Sequence, residues 1–287
     1  MTVLADGPAV ASLDFLSLEI TSRCQLTCPG HCYAEAGPTL GHGPMTTADW
    51  FRILDEAAAM GTRTVQIIGG EPTLHPGFVD LVEHALRAGL RVRVYTNLYR
   101  VRAEHWALFG HPRVSVATSY YSDDAVRHDT ITGRTGSHAA TRASIAEAVR
   151  RGVRIRVAVI DRGDGQRVRQ ALAEMRALGV GSVTVDRVRA VGNAAGGVLP
   201  SASSLCGRCG VGKAAVLPDG RVAPCELGRF LAAGNVQETS LSAVLAGPEW
   251  TRARASVPAR TSADPCGPDC GPSDDSSGGG GSCGPMG

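Results

Sequence analysis

Cys24, Cys28 and Cys32 sit together in the run LEITSRCQLTCPGHCYAE. Three thiolates in one loop can ligate three irons of a [4Fe-4S] cubane and leave the fourth iron open to a substrate or cofactor. The other chemistry open to them is a zinc site, which prefers a fourth protein ligand, and His31 lies inside the loop to serve as one. The spacing is C-x3-C-x3-C, with Pro29-Gly30-His31 between the last two cysteines. Gly tolerates positive φ and Pro fixes its own, so a turn can absorb these residues. The chain has nine cysteines; in a reducing compartment they argue for metal or catalysis over disulfides, and an odd count divides better as three plus six than as pairs.

Such a loop needs a scaffold, and the apolar periodicity supplies one. Short runs rich in β-branched residues predict strands at 13–20, 64–68, 91–95, 114–117, 154–160 and 182–188. Helical patterns lie between them. Residues 47–60 place Trp50, Ile53, Leu54 and Ala57 on one face, with Thr46 and Thr47 as N-cap candidates and Gly61 as a stop. Residues 78–88 before Gly89, 139–151 before Gly152 and 167–178 before Gly179 repeat the pattern. Strand, helix and glycine in recurring order predict a parallel α/β unit wound in one hand. Periodicity alone allows either a partial (β/α)6 barrel or a doubly wound sheet. In a barrel the working loops follow the C-terminal ends of the strands. The cysteine loop follows the first expected strand, and Gly69-Gly70-Glu71-Pro72 follows the second.

The cysteine loop and the GGEP run at these two places resemble the radical S-adenosylmethionine (SAM) superfamily. The resemblance selects the partial barrel. It implies that SAM chelates the open iron and is cleaved reductively to a 5'-deoxyadenosyl radical that abstracts hydrogen from an unactivated carbon. The usual family spacing is C-x3-C-x2-C, so this chain carries one extra residue. Tyr33 keeps the family's aromatic position near the adenine. Gly69, Gly70 and Glu71 correspond to the motif that meets the amino group of SAM, the glycines permitting close backbone approach. Thr96 and Asn97 after the third strand, and Ser119 after the fourth, occupy positions that touch the ribose or carboxylate, although such residues also make purely local hydrogen bonds at strand ends. The segment 128–133, from His128 to Gly133, resembles a family segment leading into the fourth helix, with a capped loop as the other reading. Arg187, Arg189 and Gly192-Asn193 resemble the closing loop, where an arginine suits a carboxylate.

Gly, Ala and Ser dominate 192–204, and the expected division is a radical SAM partial barrel at 1–195 and a small cysteine-rich C-terminal domain at 196–287. Cys206 and Cys209 form a CxxC pair, and a hairpin through Asp219-Gly220 would return Cys225 beside them. This resembles the twitch and SPASM extensions, and the resemblance covers most of residues 14–250. It implies at least one auxiliary [4Fe-4S] cluster, held by Cys206, Cys209, Cys225 and one of the tail cysteines Cys266, Cys270 and Cys283. A second cluster would use the remaining tail cysteines. A full SPASM array has seven cysteines and a C-x2-C-x5-C-x3-C run, whereas this region has six and no such run. A zinc ribbon and reactive tail thiols are the competing readings. The tail's Gly and Ser content predicts disorder unless metal ties it down.

At 287 residues and 43% hydrophobic, the chain can bury a large core. Its net charge of +2 is dispersed, without the basic stripe a nucleic-acid binder needs. The first fifteen residues lack a basic start followed by a long apolar run, so neither a signal peptide nor a membrane span is expected and a cytoplasmic enzyme is. The resemblance implies a reducing electron donor such as flavodoxin or ferredoxin. It also implies a ribosomally made peptide as substrate, crosslinked or epimerised, with a small molecule of cofactor or antibiotic biosynthesis as the alternative. The arm before Leu13 is too short for a peptide-binding domain, so a peptide would need a separate recognition protein or direct groove binding. A reading of another class, a zinc-stabilised non-catalytic binding protein, accounts for the cysteines alone.

Overall fold

A computed structural model of the chain describes residues 13–258. Strands β1 (Phe15–Glu19), β2 (Thr64–Ile68), β3 (Arg91–Tyr95), β4 (Val114–Tyr120), β5 (Ile155–Asp161) and β6 (Ser182–Arg187) pair in parallel, each with the next. Helices cross between them: α1 (Thr47–Ala59), α2 (Phe78–Arg87), α3 (Ala103–Phe109), α4 (Ala125–Thr132), α5 (Ser137–Arg150) and α6 (Val168–Ala177). The sheet order is β6-β5-β4-β3-β2-β1 and the ladder does not return to its start, so the barrel is partial.

Local sequence sets these elements. Thr46 caps α1 by a reciprocal box: its hydroxyl accepts from the Asp49 N–H at 3.2 Å and the Asp49 carboxylate accepts from the Thr46 N–H at 2.8 Å. Trp50, Ile53, Leu54 and Ala57 on the inner face of α1 are fully buried, in one core with Leu16 and Leu18 of β1. Strand alternation then puts Ser17 and Glu19 on the opposite, lumen face, where the Gln66 amide of β2 donates to the Ser17 hydroxyl at 3.3 Å. The lumen is polar and the shell between sheet and helices is apolar.

Two features depart from the periodicity. Strand β4 runs past the expected Ala117 because Ser119 and Tyr120 still pair with Ala158 and Val159 of β5. The connection after β4 holds two helices, and α4 ends at Gly133 in the left-handed region; α3 and α4 are too short for a clear apolar stripe.

Beyond residue 195 the sheet continues. Strand β7 (Lys213–Val216) adds in parallel to the other edge of β1, with Leu16 opposite Ala214 and Leu18 opposite Val216. Strand β8 (Val222–Ala223) folds back antiparallel through Gly220. A side chain at residue 220 would meet Asn235 Oδ1 at 2.4 Å with φ at +81°, so the turn requires glycine. Helices α7 (Leu241–Ala246) and α8 (Pro248–Ala255) close the region. The hydrogen-bonded sheet thus crosses the expected division and covers what would otherwise be an exposed edge of β1. Cys266, Cys270 and Cys283 lie outside the described residues.

Candidate active site

The cysteine loop leaves the end of β1 and is held at several points. The Cys24 N–H donates to the Gly37 carbonyl at 3.0 Å, and the Thr27 and Cys28 N–H groups both donate to the Thr132 carbonyl at the end of α4, at 3.2 and 3.0 Å. The segment 128–133 therefore anchors the cysteine loop; a side chain at Gly133 would meet Thr27 Oγ1 at 2.0 Å. The extra residue between Cys28 and Cys32 is absorbed by two left-handed positions, Cys28 at φ +42° and Gly30 at φ +73°. A non-glycine residue in that region carries strain of the kind concentrated at functional sites.

All three thiols line one cavity. The Cys24 sulfur accepts from the Leu26 N–H at 3.4 Å and from the Asn97 amide at 3.6 Å, and the Cys32 sulfur accepts from the Ala36 N–H at 3.4 Å. Burial pushes the Cys24 thiol up to about 12, with the charge of Glu71 adding to it. Burial raises Cys28 and Cys32 as well, and Cys28 is raised further by its two cysteine neighbours. Thiols so placed become thiolates when a cation takes the proton's place. Three free thiols beside one cavity, with the Cys24 and Cys32 sulfurs already receiving N–H donors, fit iron–sulfur ligation.

The loop after β2 runs alongside. The Gly70 N–H donates to the Thr21 carbonyl at 2.7 Å and the Glu71 N–H to the Arg23 carbonyl at 2.8 Å. A Cβ on Gly69 would lie 2.6 Å from the Thr21 oxygen, and one on Gly70 2.5 Å from the Arg23 oxygen. The two glycines thus let this loop lie against the cysteine loop, as well as lining the cavity.

The sequence resemblance places Glu71 toward the amino group of SAM; in the structure its side chain is held by its own neighbours. The carboxylate is fully buried and does not line the cavity. One oxygen accepts from the Thr73 N–H at 3.1 Å, the Thr73 hydroxyl at 2.7 Å and the Thr96 hydroxyl at 2.7 Å, and the other accepts from the Asn97 N–H at 2.8 Å. Glu71 is a strut beneath the floor that fixes Asn97, whose amide reaches Cys24. Thr96 belongs to the same strut.

The remaining candidates surround the cavity. Ser119 bonds the Tyr95 hydroxyl at 2.7 Å, and both line the wall. Arg189 pairs with Asp186 at 3.3 Å, and with Arg187 they form one side of it. Tyr33 lines it with a buried hydroxyl that has no partner; burial and the neighbouring Glu19 and Glu226 push its pKa well above the ordinary value.

His128, from the segment singled out in the sequence, lines the cavity, whereas sequence reasoning missed Gln66, Tyr95, Tyr121, Glu226 and Leu227, which line it as well. The Gln66 amide donates to Glu226 at 2.7 Å, while its own oxygen is buried without a partner. Glu19, at the end of β1, bonds Arg229 at 3.1 Å. The available signals were the inward strand positions of Gln66 and Tyr95 and the acid directly after Cys225.

Cys206, Cys209 and Cys225 are all buried beside Leu205, with the Cys209 and Cys225 sulfurs 2.8 Å apart. The hairpin through Gly220 does bring Cys225 back to the CxxC pair. The Cys225 sulfur accepts from the Gly228 N–H at 3.2 Å, and hydrogen bonds with Cys206 and Cys225 hold the Cys209 thiol protonated. Among the described residues no three His, Cys, Asp or Glu side chains converge on a single ion. His31 Nδ1 faces Arg162 and the Pro29 carbonyl. No helix of the described residues is long and apolar enough to cross a membrane.

A family model described as the radical SAM superfamily matches residues 18–175, and one described as an iron-sulfur cluster-binding domain, SPASM, matches residues 206–271. The PqqA peptide cyclase of Rhodopseudomonas palustris is 33% identical over 123 residues, 42% of this chain and 32% of that protein. The antilisterial bacteriocin subtilosin biosynthesis protein AlbA of Bacillus subtilis is 30% identical over 145 residues, 50% of this chain and 32% of that protein. The structure of Streptococcus suis SuiB bound to precursor peptide SuiA superposes with a TM-score of 0.71 at 15% identity, over 85% of this chain and 67% of that one, a likeness of fold. The chain spans about a third of the length of these curated relatives.

Proposed function

This chain belongs to the radical SAM superfamily, and from that premise we propose that it is an enzyme that cleaves SAM reductively and takes hydrogen from a ribosomally made peptide in order to crosslink it. The observation that carries this reading is one cavity lined by the first cysteine site and by the residues that directly follow Cys225. Cys24, Cys28 and Cys32, with Gly69, Gly70, Asn97 and Ser119, form one side, and Glu226 and Leu227, directly after Cys225, form the other. A bound cluster and SAM supply the one-electron cleavage and the hydrogen abstraction.

The chain's own residues bind, orient and exclude water. Cys24, Cys28 and Cys32 hold iron, and Asn97 donates to the Cys24 sulfur. The unpartnered Tyr33 hydroxyl and Gln66 oxygen offer a donor and an acceptor to whatever fills the cavity. Cys206, Cys209 and Cys225, with a fourth ligand from the tail cysteines, would hold an auxiliary [4Fe-4S] cluster, which would supply one-electron chemistry there. Residues 1–195 are the SAM-cleaving part and 196–287 the auxiliary iron–sulfur part. Flavodoxin or ferredoxin is the class of electron donor, the peptide arrives through a separate recognition protein or by direct groove binding, and the reducing cytoplasm suits both clusters. The relatives named for peptide cyclisation and bacteriocin biosynthesis support the peptide class.

Anaerobic reconstitution with iron and sulfide, followed by dithionite and SAM, tests the reading. It expects 5'-deoxyadenosine from the wild type and none from the Cys24→Ala/Cys28→Ala/Cys32→Ala variant. A precursor peptide encoded beside the gene should lose the mass of two hydrogens on crosslinking. Cleavage by the triple variant would overturn the cluster assignment, and an unchanged peptide would overturn the substrate class.

A further inference from the structure

We propose that His31, within the widened Cys28–Cys32 spacing, is a positioning residue whose Nε2–H donates a hydrogen bond to the group bound at Cys24, Cys28 and Cys32. The inference rests on the iron–sulfur reading of those cysteines. His31 lines the cavity, and its Nε2 is buried without a partner. The ring is fixed on its other edge. Nδ1 lies 3.4 Å from an Arg162 guanidinium nitrogen and 3.3 Å from the Pro29 carbonyl, and the ring meets Tyr121 edge-on at 5.0 Å between centroids.

The proton's place follows from these partners. A neutral imidazole donates from one nitrogen and accepts at the other. A guanidinium can only donate and a charge-assisted bond outweighs a neutral one; in the tautomer in which Nδ1 accepts from Arg162 rather than donating to the Pro29 carbonyl, the proton sits on Nε2. His31 borders the cavity and its Nε2 is buried without a partner, a costly place for an N–H unless it finds an acceptor. The acceptors available from the bound group are an inorganic sulfide of the cluster and the oxygen or nitrogen atoms of SAM. The backbone supports the arrangement: the His31 N–H reaches the Cys28 carbonyl at 3.3 Å, and Gly30 at φ +73° turns the chain there. His31 is thus held through Nδ1 and through Tyr121 and borders the cavity.

The test uses the anaerobically reconstituted full chain and its His31→Leu, His31→Phe and His31→Gln variants. Iron content, the midpoint potential of the N-terminal cluster by EPR-monitored titration without SAM, and the Kd for SAM are measured for each. A hydrogen bond to sulfur raises a cluster's potential, so a sulfide acceptor predicts a more negative potential in His31→Leu before SAM is added. A SAM acceptor predicts an unmoved potential and SAM binding weakened roughly three- to tenfold, the range of one ordinary hydrogen bond. Gln, which keeps a donor, should recover part of either effect. Should His31→Leu fail to load iron, His31→Phe fills the ring's place beside Tyr121 without a donor and makes the same comparison. Unchanged potential and unchanged SAM binding at full iron content overturn the proposal, as does a Gln variant that behaves like Leu. A wild type that holds no iron at the three cysteines would instead overturn the reading beneath it.

Discussion

Glu71→Ala separates a strut from a ligand contact. Glu71 accepts four hydrogen bonds while fully buried, two from the Thr73 and Asn97 backbone and two from the Thr73 and Thr96 hydroxyls. Hydroxyls can rotate toward other acceptors, but the two backbone N–H groups cannot. Leaving a buried donor unpaired costs about 1 to 3 kcal/mol, so the substitution should cost about 3 to 5 kcal/mol once the small void is included. Glu71→Gln keeps one acceptor oxygen and turns an amide toward donors, so about half that loss is expected. The measurement is urea unfolding of the reduced protein under argon, with the midpoint falling and the slope unchanged. Because Asn97 loses its anchor, iron loading at Cys24 should fall as well. Stability within about 0.5 kcal/mol of wild type, together with weakened SAM binding at full iron content, would show that the carboxylate reaches the ligand and that the strut argument is wrong.

Gly70→Ala should lower iron retention at the N-terminal site and destabilise the fold by about 1 to 3 kcal/mol, since its Cβ would lie 2.5 Å from the Arg23 carbonyl; wild-type iron content and melting temperature would contradict this. Glu19 gives a pH dependence: burial outweighs the pull of Arg229 and lifts its carboxyl from 4.5 to about 7. A folded value above the unfolded one means stability is fully present below pH 4.5 and lost as pH rises toward about 7, by up to about 3 kcal/mol. Glu19→Gln should flatten that slope, and parallel unfolding curves for variant and wild type across this range would count against it. The Cys24→Ala/Cys28→Ala/Cys32→Ala variant, reconstituted anaerobically, should keep about four irons, the content of one cubane; zinc or no metal by elemental analysis would remove the auxiliary cluster.

Much of the parallel α/β framework was legible in the sequence because each crossover helix and strand carries its own signal. Trp50, Ile53, Leu54 and Ala57 mark the buried face of α1 by spacing alone, and β2 and β3 begin and end where their β-branched runs do. Helices α3 and α4 escaped because seven or eight residues hold too few turns for a periodic stripe. The cysteine loop and Gly69-Gly70 were legible because a Cys triplet and a double glycine are rare and each stands at a strand's end.

The roles within the site were not local properties. Glu71 reads as a ligand contact in sequence, yet its surroundings are Thr96 and Asn97 from the next strand's end, which only the parallel pairing of β2 with β3 brings beneath it. Gln66 and Glu226 are 160 positions apart, and they meet because β7 adds to the free edge of β1. That pairing satisfies backbone groups an exposed edge would leave to water, and it sets the residues after Cys225 against the cavity. Residue types and spacings determined which chemistry this chain can support; the packing of distant strands decided which side chains face the cavity and which brace it from below, because burial and hydrogen-bond partners exist only once those strands are side by side.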